Sequence, residues 1–518
     1  MLLCVHLLPL ARFSPLYGLL NKHTRHRLPD ITPRRQDIFA AASQRRSWRR
    51  VCLKYPDARR TRGGRIRCVQ GNIANSENAF QRAPRVNFRA VLSFALPALA
   101  TALAEPLMGV VDVLSLGHGA STLELAALGP NLTVFNFISY AFLFLATITI
   151  IRISEATSKK DMKMAESTLF GACLVAVGSG SLVGASLLLW PKTILGATGA
   201  IPLLLEPAAV YAKVRALSLP AALLSMVLQS GLLAQKNTKI PLQAITCAVA
   251  CNAIGDYLLV IVCGMGLFGS AIATTLGVYV GCLLLFKLGY GDGDAIRLRA
   301  QMPSRAFWKE FRKSALELTM ASVANQVCFL CVQAASTQLN VLSCAAHQAV
   351  YSLWQLASMA SFPLLQATQV FLAEELSIHG PGKGARHIIS LIARLSVILG
   401  MILAALVGGL AAFAPGIITR DDSLWPYMFA AAPFAGLSLL FVGLAQTLDG
   451  VLQTTKDAGF MAKCTVVYCA LVFAGLSAVV RSHSSFVWIW IVIVALYATR
   501  VVVNSVRLKV RRGVRLLV

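Results

Sequence analysis

Charge is what this sequence has least of. Only 14% of its 518 residues are Asp, Glu, Lys or Arg, and 57% are hydrophobic. A soluble domain carries about 25% charged residues, so this chain could not clothe its own surface in water. Acids are scarcer still, 22 against 48 Lys and Arg, for a net charge of +26. The eight histidines form no His-x-x-x-His or His-Glu-x-x-His pairing, which leaves a zinc enzyme without support. The thirteen cysteines are scattered, several of them inside apolar runs (Cys173, Cys247, Cys251, Cys263, Cys282), where they read as small core residues. Cys328 and Cys331 form a Cys-x-x-Cys in the middle of such a run and also read as packing. No catalytic constellation stands out, so neither an enzyme, a cofactor nor a metal centre is expected.

The positive charge is unevenly placed. Residues 1–89 hold 19 Lys and Arg and only four acids (Asp30, Asp37, Asp57, Glu77). An Arg-rich, acid-poor start reads as an organelle targeting segment or as a basic disordered tail. The apolar stretch 1–20, interrupted by Arg12, is a weak signal-like region ahead of it. Most remaining basic residues lie in short connections between apolar runs, so membrane topology explains them better than nucleic acid does.

Crossing a bilayer takes about 20 mostly apolar residues. Twelve runs qualify, near 90–116, 125–151, 168–190, 208–233, 240–263, 266–287, 311–336, 341–371, 387–413, 425–449, 459–480 and 485–506. They do not alternate with period two, so helices are expected rather than a barrel. The even-numbered connections and the C-terminus carry the basic residues (Arg152, Lys159, Lys160, Lys236, Arg305, Lys383, Lys456, Arg507 among them). Both termini are therefore expected on the cytosolic or stromal side. Domains are drawn at 1–89 (targeting or disordered), 90–287 (first six helices), 288–310 (linker), 311–506 (last six helices) and 507–518 (basic tail).

The halves repeat weakly at an offset near 220. Leu123-Glu124-Leu125-Ala126-Ala127 aligns with Leu342-Ser343-Cys344-Ala345-Ala346, and Gly231 to Lys239 parallels Gly450 to Lys456-Asp457. The expected fold is all-α, twelve transmembrane helices in two six-helix lobes related by a pseudo-two-fold axis. Such halves suit alternating access to a site between them.

Ionisable groups inside a span cost roughly 2.5–3.5 kcal/mol on insertion scales and mark functional sites by default. Glu105 and Asp112 lie seven residues apart in the first span, on one helical face. Asp256 lies in the fifth, one turn after Asn252, and Asp449 ends the tenth. Desolvation disfavours a charged carboxylate, so such groups can carry a proton or hold Na⁺. Adding 220 to Asp112 gives Val332, so the carboxylates belong to one half only, as befits an ion site. Pro97, fifteen residues before Asp112, is a candidate kink on a helix that moves when those groups change charge.

These residues resemble the MATE (multidrug and toxic compound extrusion) family, in its DinF-like branch with plant plastid members. The similar stretches are Ala95-Leu96-Pro97 with Glu105 to Asp112, Glu124 to Gly129 with Val134-Phe135-Asn136, Arg215 to Ala221, Gly269 to Thr274, Ala346-His347-Gln348 and Leu448-Asp449-Gly450. The resemblance covers about residues 88–480. It implies export of a small organic molecule in exchange for H⁺ or Na⁺, and a cation site of Asp112, Asn252, Asp256 and Thr274. Pro97, Glu105, His347, Gln348 and Asp449 become candidates for substrate contact or gating. Departures from the family pattern are Val113 where threonine is usual, Leu114 to His118, and Lys236-Asn237-Thr238.

The alternatives are a major facilitator, whose charged motif is missing from 152–166, a lipid flippase related to MATE proteins, and a channel. The chain is expected to work as a monomer in a lipid bilayer, on a small molecule and not on nucleic acid. Its place is a plastid membrane, or else the plasma or vacuolar membrane.

Overall fold

A computed structural model describes residues 86–510, apart from 199, 201, 292–295, 340, 419–421 and 483–484. The targeting segment therefore lies outside the described residues, bar its last few positions. Fifteen helices of eight residues or more build the described part. They are α1 Phe88–Gly119, α2 Thr122–Ala141, α3 Leu143–Ser158, α4 Met162–Leu189, α5 Pro202–Ala216, α6 Leu219–Ala234, α7 Lys239–Asp256 and α8 Gly266–Gly289. The second half continues with α9 Arg305–Leu339, α10 Val341–Met359, α11 Phe362–Ile378, α12 Lys383–Phe413, α13 Trp425–Thr454, α14 Ala458–Arg481 and α15 Val487–Val510.

Among the described residues, eleven stretches are long and apolar enough to cross a membrane, and the pair α5 and α6, bent by 50°, makes a twelfth if counted as one span. Each overlaps one predicted run. Several spans are interrupted in ways the hydropathy did not show. The second is cut at Phe142 into α2 and α3, and the eighth between α10 and α11, where Pro363 opens the new helix. The fifth continues beyond Asp256 as a π-helical turn, Tyr257–Val262. Large apolar side chains stand exposed along the outside, such as Leu182 at 70%, Leu283 at 63% and Leu471 at 61%. Apolar exposure on that scale suits lipid and not water.

Local signals set the helix ends. Asn87 Oδ1 accepts from Ala90 N (2.9 Å), Ser121 and Glu124 form a capping box at α2, and Asp161 Oδ1 accepts from Met164 N (3.0 Å), each satisfying orphan N–H groups. Three of the exits are unusual. Lys160, Lys236 and Lys456 adopt φ of 57°, 60° and 59°, a left-handed conformation that costs a non-glycine residue roughly 1–2 kcal/mol. At each, two backbone bonds close the helix end, for example Asn237 N to Leu232 O (3.0 Å) and Lys236 N to Leu233 O (2.9 Å). A lysine there also meets the negative end of the helix dipole.

The weak sequence repeat is much clearer in this geometry. Lys236 and Lys456 are 220 residues apart, as are Lys160 and Gly380, which has φ of 70°. Helix crossings obey the same offset. A Cβ on Gly180 would lie 2.7 Å from Pro220 Cα, and one on Gly400 3.0 Å from Leu440 Cα. A Cβ on Gly184 would lie 2.7 Å from Ala216 O, while 220 residues later the roles exchange and Gly436 faces Ala404 O at 2.9 Å. Small residues let helix backbones touch, which is what drives packing where lipid is as apolar as the partner helix.

One apolar cluster joins the two halves at the end where α1 begins and α15 finishes, from Val91, Phe94 and Ile153 to Phe371, Ile389 and Leu452. Away from it each half has its own cluster, around Leu128, Tyr211 and Val260 in one and Trp354, Met428 and Trp490 in the other. Phe94 meets Phe371 edge-on (5.7 Å) and Phe144 meets Phe311 (6.1 Å). Ion pairs cross the same seam: Glu310 takes both Arg152 and Lys456 (3.3 Å to the latter), and Lys236 pairs with Glu374.

Gly184→Val and Gly436→Val are each expected to cost about 1–3 kcal/mol through overpacking, seen as a lower Tm of the purified protein in detergent. Unchanged melting of both variants would remove the close-approach argument.

Candidate functional site

Helices α1, α7 and α8 converge below the N-terminal lobe's apolar cluster. The approach of α7 to α8 is set by glycine: a Cβ on Gly277 would lie 2.9 Å from Ala248 O, and one on Gly255 2.8 Å from the Ala273 Cβ. The i, i+4 pairs Asn252/Asp256 and Ser270/Thr274 thereby face each other across this narrow gap, and Asp112 enters from α1.

Asn252 Nδ2 donates to Asp112 Oδ1 (3.2 Å) and to Thr274 Oγ1 (3.1 Å). Thr274 Oγ1 donates to Ser270 O (2.8 Å), with Asp112 Oδ2 at the edge of reach (3.5 Å). The Asp256 carboxyl faces that of Asp112. All four are buried, Asn252 and Asp256 completely. The structure therefore brings Asp112, Asn252, Asp256 and Thr274 into one cluster. Both oxygens of Asp256, Oδ1 of Asn252 and Oγ of Ser270 make no hydrogen bond of ordinary geometry, although the Asp256 carboxyl stands near Asp112 and Ser270. Buried acceptors are almost always satisfied, so these lone pairs call for a proton or a cation. Both are chemically suited: two facing carboxyls can share a proton, and a ring of carboxylate, amide and hydroxyl oxygens suits Na⁺.

Val113, in the place of the usual threonine, is 42% exposed, so the missing hydroxyl is not one that Asp112 could use. Pro97 lies within α1 and its carbonyl accepts from Thr101 Oγ1 (3.0 Å), and a second proline, Pro106, shares the helix. Glu105 lies on α1 too, but its side chain is outside the described residues.

Two residues of α5 escaped the sequence reading. Tyr211 is buried and faces Thr274. Arg215, one turn later, lies with its guanidinium over the Phe135 ring (4.9 Å). It sits in the last turn of α5, just before the 50° bend into α6. Its one sequence signal was a basic pair, Lys213 and Arg215, within an otherwise apolar stretch.

The remaining candidates lie elsewhere. Asp449 is buried in the second half, paired with Arg500, which also donates to Asn325 Oδ1 (3.2 Å), and it accepts from Asn504 Nδ2 (2.8 Å). His347 is fully buried in an aromatic cluster, stacked on Tyr351 (5.4 Å) and against Trp490 (5.5 Å). Gln348 is exposed on the same helix. None of the three joins the Asp112 cluster.

Comparison with known proteins agrees with the geometry. Residues 97–258 match the family model MatE. The chain is 26% identical over 410 residues to Protein DETOXIFICATION 47, chloroplastic, of Arabidopsis thaliana, covering 78% of this chain and 75% of that one. It is 28% identical over 253 residues to DNA damage-inducible protein F of Escherichia coli K12, covering 46% and 53%. A solved structure of a MATE protein in a bent conformation superposes with a TM-score of 0.73 at 16% identity, covering 81% of this chain and 95% of the other.

The Asp449–Arg500 pair is a double-mutant test of which groups are structural. The two side chains are only 7% and 12% exposed. Asp449→Leu or Arg500→Met alone is expected to cost about 3–5 kcal/mol, and the double variant much less. A double variant that melts no higher than the worse single would show that the pair does not act as a self-contained unit.

Proposed function

We propose that this chain, a relative of the MATE transporters with chloroplast-named and DinF-type kin, is a secondary active antiporter that exports a small organic molecule in exchange for H⁺ or Na⁺. The observation that carries the reading is the buried cluster of unpartnered oxygens on Asp256, Asn252 and Ser270 beside Asp112. Unsatisfied buried acceptors are costly, and one half of a repeated scaffold is where they are kept.

In this cycle the protein stands sealed at the terminus-bearing end by Phe94, Phe371 and the ion pairs of Glu310 and Glu374. A cation enters from the far side and bridges Asp112 and Asp256. Their mutual repulsion falls, α1 repacks on α7 and α8, and substrate leaves. Rocking of the lobes then breaks the seal, the cation departs on the terminus side and new substrate binds. That side is the cytosol or, with residues 1–89 as a plastid address, the stroma. The chain acts as a carrier and not as a catalyst, as a monomer, on substrates of the class that multidrug exporters handle.

The test is ethidium transport by the full-length protein in proteoliposomes under imposed pH or Na⁺ gradients. Asp112→Asn and Asp256→Asn are each expected to lose gradient-driven ethidium movement by about tenfold or more, since each removes a buried carboxylate from the ion site. The gradient that works in the wild type names the ion. Movement indifferent to both gradients and both substitutions would leave a channel, a flippase or an uncoupled carrier instead.

A further inference from the structure

The packing of α7 on α8 sets Ser270 against Asp256. The two helices run antiparallel: Gly277 approaches Ala248 and Gly255 approaches Ala273. One turn forward on α7 therefore meets one turn back on α8. Asn252 Nδ2 donates to Thr274 Oγ1 (3.1 Å), and one turn further the facing pair becomes Asp256 and Ser270. Close contacts bracket that pair on both sides. A Cβ on Gly255 would lie 2.8 Å from the Ala273 Cβ, and one on Gly269 would lie 3.1 Å from the Leu259 Cβ. Both Asp256 and Ser270 are fully buried.

The Ser270 hydroxyl is not used by its own helix. Ser230 and Ser396 donate to the carbonyl one turn back, Met226 O (2.7 Å) and Ile392 O (2.9 Å), a common habit of helical serines. Ser270 Oγ makes no hydrogen bond of ordinary geometry. Nor does Asn252 Oδ1, although the Asn252 amide nitrogen donates to both Asp112 Oδ1 (3.2 Å) and Thr274 Oγ1. Packing does not ask for a hydroxyl at this place. α8 and α15 correspond at the 220-residue offset, and Ser270 falls on Trp490. Trp490 is fully buried in the same apolar cluster as Val472 and Leu476, the counterparts of Asn252 and Asp256.

A hydroxyl beside a carboxylate has two uses. It can turn its hydrogen to the carboxylate, or turn a lone pair to a cation held there. A proton on Asp256 needs a single acceptor and makes no demand on neutral oxygens around it. Na⁺ stripped of its water needs oxygens in place of its hydration shell. Asp112 and Asp256 supply charge, which serves either ion. The neutral oxygens of Asn252 and Ser270 supply the rest of a shell, which serves only Na⁺.

We propose that Ser270 is a specificity-determining residue of the coupling site, its hydroxyl oxygen being the ligand that lets the site hold Na⁺ and not a proton alone. The proposal rests on the antiporter reading above and chooses between its two ions.

The experiment measures Na⁺ binding by the purified full-length protein in detergent. The readout is the rise in Tm with NaCl at one fixed pH and constant ionic strength, N-methylglucamine chloride making up the balance. A ligand that binds only the folded state raises Tm along its binding curve, which yields an apparent Kd. Ser270→Ala and Ser270→Cys are each expected to weaken Na⁺ binding by about tenfold or more, the scale of one lost contact to a charged group. Both are expected to melt near the wild type without Na⁺, since neither adds bulk to the gap. The cysteine variant is the stringent one. It keeps the shape and the hydrogen but replaces a hard oxygen with a soft sulfur, so a packing role for Ser270 predicts no change in Na⁺ affinity.

A wild-type Tm indifferent to Na⁺ overturns the proposal, as does either variant binding Na⁺ as tightly as the wild type. Ethidium movement in wild-type proteoliposomes separates the two failures. If a pH gradient drives it while Na⁺ has no effect on melting or transport, the antiporter reading stands with H⁺ as its ion and this inference alone falls. A wild type indifferent to Na⁺ in melting and to both gradients in transport removes the two together.

Discussion

Lipid offers no hydrogen bonds, and most of this structure follows from that. Every backbone group must find a partner within the chain, so the described residues that span are helices, and each helix end needs its own device. The left-handed lysines at 160, 236 and 456 accept a strained backbone in return for closing exposed carbonyls at the polar boundary. Side chains obey the same rule. Asp449 is deep in the protein, yet Arg500 and Asn504 satisfy both of its oxygens. Asp256 is as deep and has neither oxygen satisfied. Both are buried aspartates, and the partners leave one satisfied within the fold and the other with oxygens to spare.

The two halves show what is scaffold and what is site. Gly180 on Pro220 and Gly400 on Leu440 are the same contact 220 residues apart, and Gly184/Ala216 and Ala404/Gly436 are the same contact with the glycine moved to the other helix. Backbone approach is thus kept while sequence identity is lost. The positions of Asp112, Asn252 and Asp256 correspond to Val332, Val472 and Leu476, and these three pack into one apolar cluster of the second half. The same crossing of helices holds a polar cluster in one lobe and plain hydrocarbon in the other. The scaffold therefore does not require the polar residues, and their cost is borne for another reason.

Hydropathy runs revealed the number of spans, because twenty apolar residues have few other uses. The carboxylates of the site were legible for the opposite reason: charge in an apolar run is conspicuous, and Asn252 and Asp256 share a helical face. Breaks within spans were not legible. Phe142 interrupts a run without a proline or glycine, and the π-helical turn after Asp256 leaves no mark in composition. Arg215 and Arg500 carry no such signal, because a basic residue near a run's end looks like an interfacial anchor. Only three-dimensional packing shows that one lies over the Phe135 ring and that Asp449 holds the other. His347 was the reverse case, a polar residue in a matching motif that packs among aromatic rings away from the carboxylates.

The seam between the halves ties these observations to motion. Its apolar part, Phe94 on Phe371 and Phe144 on Phe311, resists separation through the hydrophobic effect only when water can enter, which happens at the polar end of the bundle. Its ionic part is different: Glu310 holds one basic residue from each half, Arg152 and Lys456, at exposures where such pairs are individually weak. A seal made of several weak, water-accessible contacts can be opened by a modest change elsewhere. α1 carries both Phe94 at the seal and Asp112 at the site, five turns apart along one helix. In the proposed cycle, a change of charge at Asp112 that shifts α1 would act on the seam through the helix itself, since Phe94 and Asp112 belong to the same element.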